Sequence, residues 1–572
     1  MAVSIQRFGA ALLTAAIVCF PQTSVAQTLG NISPGAIQQH SSEMERYYEL
    51  QKQLENDKMP QSTQDSIGNH VQSGAKAPPR ASEQLFLVRR VDVTPSAILS
   101  PSELRRVSCR YEGREVSIKD LSAMVQEIND LYQKKGYLAA RAVLPPQKVS
   151  SGVVYVRLIE ARIARVVVEN SSRTMNSYFA DRVALKPGDL VRVEDLEKSL
   201  AFFNATNDVK VRAVLEPGEE FGTTDLHLRV SPVEENSASI SYDNAGQAAI
   251  GKERLGFTET YANLFGHRDP LNIGSYWADG LVSGFASYSF PISDSGLRIG
   301  PIFSYDQIHV RANKLQKLGV NGSFYDASFR LSRPMIANSH FVLNAYLAPH
   351  FQESALNSQD VPISRTEVRS IEAGGTIQES DKHGVWQADL SLMAGDHNLG
   401  GRNFFSKYDG TITRMQLLKH GIVAVFRGQG QAKGGNSASL PPSEQIQIGG
   451  IATVRGYPES TLIGDNGYAI SAELDMPIPL GSRKFLGMPL GQRFTSAWFI
   501  DHGAIVAGPQ TTFLTGAGGG LIVNFSKYFR GRANIATPLQ NSTAFNRTAF
   551  EFYLQSSPPI QRLFEMFRSK AE

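Results

Sequence analysis

Cysteine is nearly absent from this chain. Of 572 residues only Cys19 and Cys109 are cysteine, and Cys19 falls in a segment expected to be removed. A single remaining thiol supports neither a disulfide framework nor a cysteine metal site within one chain. Charge is sparse and balanced. Charged residues make up 19% and the formal net charge is +3, which gives no sign of the concentrated basic face that nucleic-acid binding needs. Past the N-terminus no apolar run reaches the ~20 residues a membrane helix requires. Catalytic patterns are missing too. There is no His-Glu-x-x-His and no Walker-type Gly-Lys motif, and His502 beside Asp501 lacks an activated serine to complete a triad. The expectation is a chain that is not an enzyme and holds no metal or cofactor.

What is present starts with a targeting segment. Arg7 gives a short basic region, Phe8 to Phe20 is apolar, and Ser24-Val25-Ala26 before Gln27 suits signal-peptidase cleavage. The segment 1–26 is therefore read as a signal peptide, and the mature chain as either soluble or a barrel. Residues 27–56 contain a helix opened by Ser33 as cap and Pro34 at the first position. Its apolar stripe (Ile37, Met44, Tyr47, Leu50, Leu54) is thin, so it has no core of its own. Residues 57–84, rich in Ser, Gln, Gly and Pro, read as a linker.

Residues 85–161 then show a β-α-α-β-β order. The expected elements are a strand from Phe86 to Val93, a short helix opening at Ser102, and a longer helix from Ser117 to Lys135 ended by Gly136. Strands at Ala139 to Leu144 and Gly152 to Glu160 follow. Residues 162–232 repeat the order, with a strand at Ile163 to Glu169 and helices at Asn176 to Val183 and Val193 to Asn204. Strands at Val209 to Leu215 and Asp225 to Val230 close it, around a tight Pro217-Gly218 turn.

From about residue 238 the helical periodicity stops and short strands alternate. Phe341, Leu343, Ala345 and Leu347 share one face, and Asn344 and Tyr346 the other. Phe550, Phe552 and Leu554 oppose Glu551, Tyr553 and Gln555. Alternation of this kind marks strands with lipid outside and water inside; a soluble sandwich alternates too, and the signal peptide and the length tip the balance to the barrel. The abundance of Gly (49 residues) and the 9% aromatic content suit turns and aromatic girdles. At ~10 residues per strand plus turns, residues 238–572 could hold about sixteen strands, and the barrel is placed at 238–555. In Trp498-Phe499-Ile500-Asp501 the same alternation turns Trp498 and Ile500 to lipid and Phe499 and Asp501 to the lumen. A guanidinium is the natural partner for a lumenal carboxylate. The candidate is Arg455, in Val454-Arg455-Gly456-Tyr457, a Gly-flanked segment between two strands that suits a loop folded back into the barrel. Gly516-x-Gly518-Gly519-Gly520 does not open a helix and reads as a strand where another backbone comes close.

These motifs resemble the two-partner secretion transporters, which export haemolysins and filamentous adhesins across Gram-negative outer membranes. The resemblance also rests on Asp243-Asn244-x-Gly246, Gly251, Asn263-Leu264-Phe265-Gly266, Asp269-x-Leu271 and Ser289-Phe290-Pro291-Ile292 in the opening strands. Tyr132, Gly136-Tyr137, Pro145-Pro146-Gln147 and Gly152 in the first module are similar to the POTRA pattern. So are Lys186-Pro187-Gly188-Asp189, Pro217-Gly218 and Gly222 to Leu226 in the second. The family implies a transmembrane antiparallel β-barrel of about sixteen strands, two periplasmic α+β POTRA-like domains and an N-terminal plug helix. It implies an Arg455–Asp501 pair with Phe499 beside it, and an acidic residue at Glu473 of open weight. The implied partners are a secreted exoprotein with an N-terminal secretion domain, outer-membrane lipid and the machinery that inserts barrels; no nucleic acid is expected. Translocation is expected to run without ATP. A barrel-assembly insertase is the alternative, set back by the two modules; a passive porin would need neither modules nor linker. One departure stands out: Thr548 to Gln555 reads as the last strand, yet a tail, 556–572, follows where the family ends on a terminal aromatic.

Overall fold

The computed structural model describes residues 85–557 apart from 138, 150, 234, 312–315, 436, 486–487, 527 and 541–547. The signal segment 1–26, the helix expected within 27–56, the linker 57–84 and nearly all of the tail lie outside the described residues. The chain forms two compact units that part chiefly between Val233 and Glu234.

The N-terminal unit holds two α/β modules. In the first, β1 (Phe86–Val88) and β2 (Arg90–Val93) precede α1 (Pro101–Ser108), β3 (Arg114–Val116), α2 (Ile118–Lys134), β4 (Ala140–Val143) and β5 (Val153–Glu160). Both helices start at capping boxes. Ser100 and Glu103 exchange hydrogen bonds at α1, and Ser117 and Asp120 do so at α2, which satisfies backbone donors that a helix start leaves open. Leu121, Met124, Ile128 and Tyr132, at helical spacing, bury one face of α2 against Val88, Val154 and Val156.

One expectation is corrected here. Phe86 to Val93 is not a single strand: β1 pairs with β3, whereas β2 pairs in parallel with β5, in a separate sheet of order β2-β5-β4. The cause is Gly152, whose carbonyl accepts from both Arg89 N (2.7 Å) and Arg90 N (3.2 Å) and takes the chain out of the ladder between the two strands.

The second module runs β6 (Arg162–Glu169), α3 (Asn176–Asp181), α4 (Val193–Thr206), β7 (Val211–Pro217) and β8 (Thr223–Val230), with sheet order β6-β8-β7. Tyr178, Phe179, Leu196, Leu200 and Phe203 pack on Leu226 and Leu228. Several bounds differ from expectation by one or two residues, and two of the shifts change the reading. Helix α3 ends at Asp181, short of Val183. Pro217 belongs to the end of β7, so the link to β8 is five residues, 218–222, and not a tight turn.

The second unit is a closed antiparallel barrel of sixteen strands among the described residues. Its first half is β9 (Asn236–Asp243), β10 (Arg254–Tyr261), β11 (Leu271–Ala278), β12 (Leu281–Tyr288, resumed at Phe290–Pro291), β13 (Arg298–His309), β14 (Val320–Ala337), β15 (Phe341–Ser358) and β16 (Val361–Asp381). The second half is β17 (Gly384–His397), β18 (Asn403–Leu417), β19 (Val423–Lys433), β20 (Gly467–Pro477), β21 (Phe494–Ala507), β22 (Gln510–Asn524), β23 (Phe529–Pro538) and β24 (Ala549–Ser556). Closure removes the free edges that hydrocarbon could not solvate. It is made by β24 on β9, from Tyr553↔Asp243 to Ser556↔Ile240. The Asn244 carboxamide then prolongs the ladder: Nδ2 donates to Phe550 O (2.8 Å) and Oδ1 accepts from Phe552 N (2.9 Å).

The two faces of the wall differ as alternation predicts. Leu347, Trp498, Ile500, Ile535 and Phe550 point out and are exposed, whereas Tyr346, Phe499, Asp501 and Tyr553 point in and are buried.

Candidate functional site

The site is built where the segment between β19 and β20 folds back against the inner wall. Ile446–Ile448 and Leu462–Gly464 pair as a small hairpin, and the residues between them reach inward-facing side chains of β20, β21, β22 and β24. Val454 and Tyr457 are buried with Ile448, Ile505 and Leu514, which gives the tip a small apolar seat. The Tyr457 hydroxyl donates to Thr515 O (3.0 Å). Gly456 takes φ +94°, and a Cβ there would press on the backbone of Ala536 and Thr537, so only glycine fits without strain.

Arg455 is 1% exposed and makes more contacts than its expected partner alone would account for. Nε and Nη2 each lie 2.8 Å from the two Asp501 oxygens, a bidentate pair, and the Arg455 backbone N–H also donates to Asp501 (3.1 Å). Nη1 bonds Glu473, and Nη2 donates to Ser471 Oγ (3.1 Å). The guanidinium lies 3.4 Å from the Phe499 ring centroid, a cation–π stack in a desolvated place. Glu473 is shared: Arg532 Nη2 donates to it (2.9 Å), and Arg427 is 3.7 Å away. Gly456 N donates to Glu551 (3.0 Å).

Strand register explains how the wall accepts this group. Asp501 stands between Ser471 and Gly516, and Phe499 between Glu473 and Gly518. A Cβ on Gly516 would lie 2.0 Å from Arg455 O, one on Gly518 would be 2.8 Å from the Phe499 ring, and one on Gly520 would be 2.2 Å from Asn534 Oδ1. Gly516 is where the loop backbone lies against β22, and Gly518 and Gly520 leave room for the Phe499 ring and the Asn534 side chain.

All six residues singled out from the sequence, Val454, Arg455, Gly456, Tyr457, Phe499 and Asp501, thus meet in one place, and Glu473 joins them. Sequence reasoning missed Ser471, Arg532 and Glu551 as partners. Their signal was parity. Arg532 and Asn534 alternate with apolar neighbours on β23, as Ser471, Glu473 and Asp475 do on β20. Such a cluster of charges holds a loop firmly while its partners are matched and loses that hold when one is removed. It contains no nucleophile aligned with a base.

The model of the haemolysin secretion/activation protein family ShlB/FhaC/HecB matches residues 222–523, more than half of the chain. The chain belongs to that family. A ShlB-type POTRA domain matches residues 86–161, the first module. Among similar proteins, the heme/hemopexin transporter protein HuxB of Haemophilus influenzae is 24% identical over 479 residues, 79% of this chain and 83% of that protein. The outer membrane transporter CdiB of Dickeya dadantii is 22% identical over 486 residues, with the same coverage. Among solved structures, CdiB from Escherichia coli superposes with a TM-score of 0.62 at 19% identity, over 92% of this chain and 99% of that one. BamA from Haemophilus ducreyi gives 0.52 at 14% over 83% and 100%, a likeness of fold alone. This transporter of the two-partner secretion type therefore sits in the outer membrane, with its POTRA region in the periplasm.

Proposed function

We propose that this transporter recognises one large, unfolded exoprotein by the exoprotein's N-terminal secretion domain and passes it through the barrel to the cell surface, without ATP and without catalysing a reaction. The observation that carries the reading is the inward loop. A strand connection held by Arg455 against Asp501, Glu473 and Phe499 is costly to bury, and it makes sense as a part that fixes the lumen in one state and yields in another. The small sheets of the modules end in strands whose outer backbone groups can pair with an extended client segment. Segment 27–56, expected from its sequence to be helical, would serve as a plug that leaves during transport, and folding of the client outside the cell gives direction. Relatives named for heme/hemopexin transport, as CdiB and as a haemolysin transporter point to a secreted partner protein.

The test compares secreted proteins from wild type, a deletion strain and an Arg455→Ala strain, with outer-membrane levels of the barrel measured alongside. One large protein is expected to disappear from the medium in the deletion strain, and from Arg455→Ala as well while the barrel is still present. An unchanged medium together with a fall in many other barrels would favour the insertase reading.

A further inference from the structure

The inward loop is fastened twice, and the two fastenings use different parts of the wall. The tip, 453–461, bonds β20, β21, β22, β24 and, through Ser460, Gln247 just past β9. The limb that enters the lumen, 437–445, bonds β15 and β17 to β19 among the described residues. Its centre is Lys407 on β18, which is 6% exposed. Lys407 Nζ lies 2.8 Å from Glu444 Oε2 in the limb and 3.2 Å from Asp409. Gln431 Nε2 donates to Glu444 O (2.9 Å) and to Asp465 O (3.1 Å), which ties the entering limb to the leaving one. Ser443 Oγ donates to Gln352 Oε1 (3.2 Å), and His397 Nε2 donates to Ser439 O (3.1 Å). Leu440 is buried among Val368, Met393 and Phe405.

An ion pair with both members this buried is poor value as general stabilisation, since desolvation offsets most of the attraction, but breaking it by removing one member is severe. Such a pair specifies position. We propose that Lys407 and Glu444 are positioning residues that fix the root of the loop as a pivot, so that the tip carrying Arg455 can leave its seat while the root stays docked. The shared Gln431 makes the root a unit of both limbs, and its separation from the tip's partners lets one site open without the other. The inference rests on the reading that the loop moves. Its test reads the release of each site and not export, so it fails independently of that reading.

Full-length barrel in outer-membrane vesicles is prepared with the exposed Cys109 replaced by serine. Single reporters are Ser443→Cys at the root and Ser460→Cys at the tip, labelled with a water-soluble maleimide. Lys407→Glu is expected to speed root labelling about tenfold or more, while tip labelling stays within about twofold. Arg455→Ala is expected to do the reverse, and the swap Lys407→Glu/Glu444→Lys to return the root to slow labelling. If Lys407→Glu does not insert, Lys407→Met leaves Glu444 buried without its lysine and adds no like-charge clash, and is expected to release the root alone. The proposal is overturned if both reporters are released together, if the root stays protected, or if the swap gives no recovery.

Discussion

The first module and the barrel lumen solve the same problem, how to fill the inside of a fold, with opposite chemistry. The module's interior is Val88, Leu121, Met124, Ile128 and Val154, and its few polar insertions are satisfied, as where the Tyr132 hydroxyl donates to Glu160 (2.9 Å). The lumen is filled by Arg455, Asp501, Glu473, Arg532 and Ser471, and apolar residues line the outside. An apolar core is held by area removed from water and has one good packing. A charged core is held by matched partners, and the same groups can be matched in more than one way. On the proposed function, the difference separates a part that keeps its shape from one that lets go.

The largest test breaks the charged interior. Asp501→Ala takes away the carboxylate that Arg455 grips with two nitrogens, and removing one member of such a buried pair costs about 3–5 kcal/mol. The double change Arg455→Met/Asp501→Leu removes both charges and is expected to recover most of that loss. Heating the barrel in detergent and following its electrophoretic mobility reads both. Export is expected to stay lost in the double variant, because an apolar seat has no alternative partners to move to. Export at wild-type level with the double change would show that the charges serve stability alone.

Much of this comparison could be read from the sequence, and the parts that could not share a cause. Alternation put Phe499 and Asp501 inward and Glu551 with Tyr553, because a strand's parity is local. The Arg455–Asp501 pairing needed the family resemblance, since parity gives a direction and not a partner. Arg532, 77 positions after Arg455, joins the site only because β23 and β20 face the same stretch of lumen once the barrel closes. In the module, the break at Arg89 is set by the carbonyl of Gly152 far along the chain, and β3 is three residues long, too short to show a period. What was illegible was decided by register and closure, which no single segment encodes.

The apolar interior offers the matching test. Ile128 is fully buried on α2, and Ile128→Ala is expected to destabilise the module by about 2–5 kcal/mol through lost transfer energy and a residual cavity. Calorimetry of the full chain in detergent should show the transition of the N-terminal unit moving down while the barrel transition stays in place. The contrast predicts a further asymmetry: no second substitution of charge restores this loss, as the double apolar change does in the lumen.

The smallest effect comes from the same chemistry in water. Lys135 Nζ lies 2.8 Å from Glu103 Oε2 at the surface of the module, a lysine–carboxylate pair like that of Lys407 and Glu444 but solvated. The hydrogen bond from Lys135, then those from the Ser100 backbone and hydroxyl, hold the Glu103 carboxyl down to about 2 from its ordinary 4.5. A depressed carboxyl contributes stability in full above its unfolded value, and loses it as pH falls through its folded value. The contribution is therefore expected to be whole above pH 4.5 and to fade toward pH 2. Glu103→Gln should flatten that part of the module's stability profile and leave neutral-pH stability lowered by less than Ile128→Ala does, because solvent screens an exposed pair. A loss at neutral pH as large as that from Asp501→Ala would mean that burial is not what separates the two interiors.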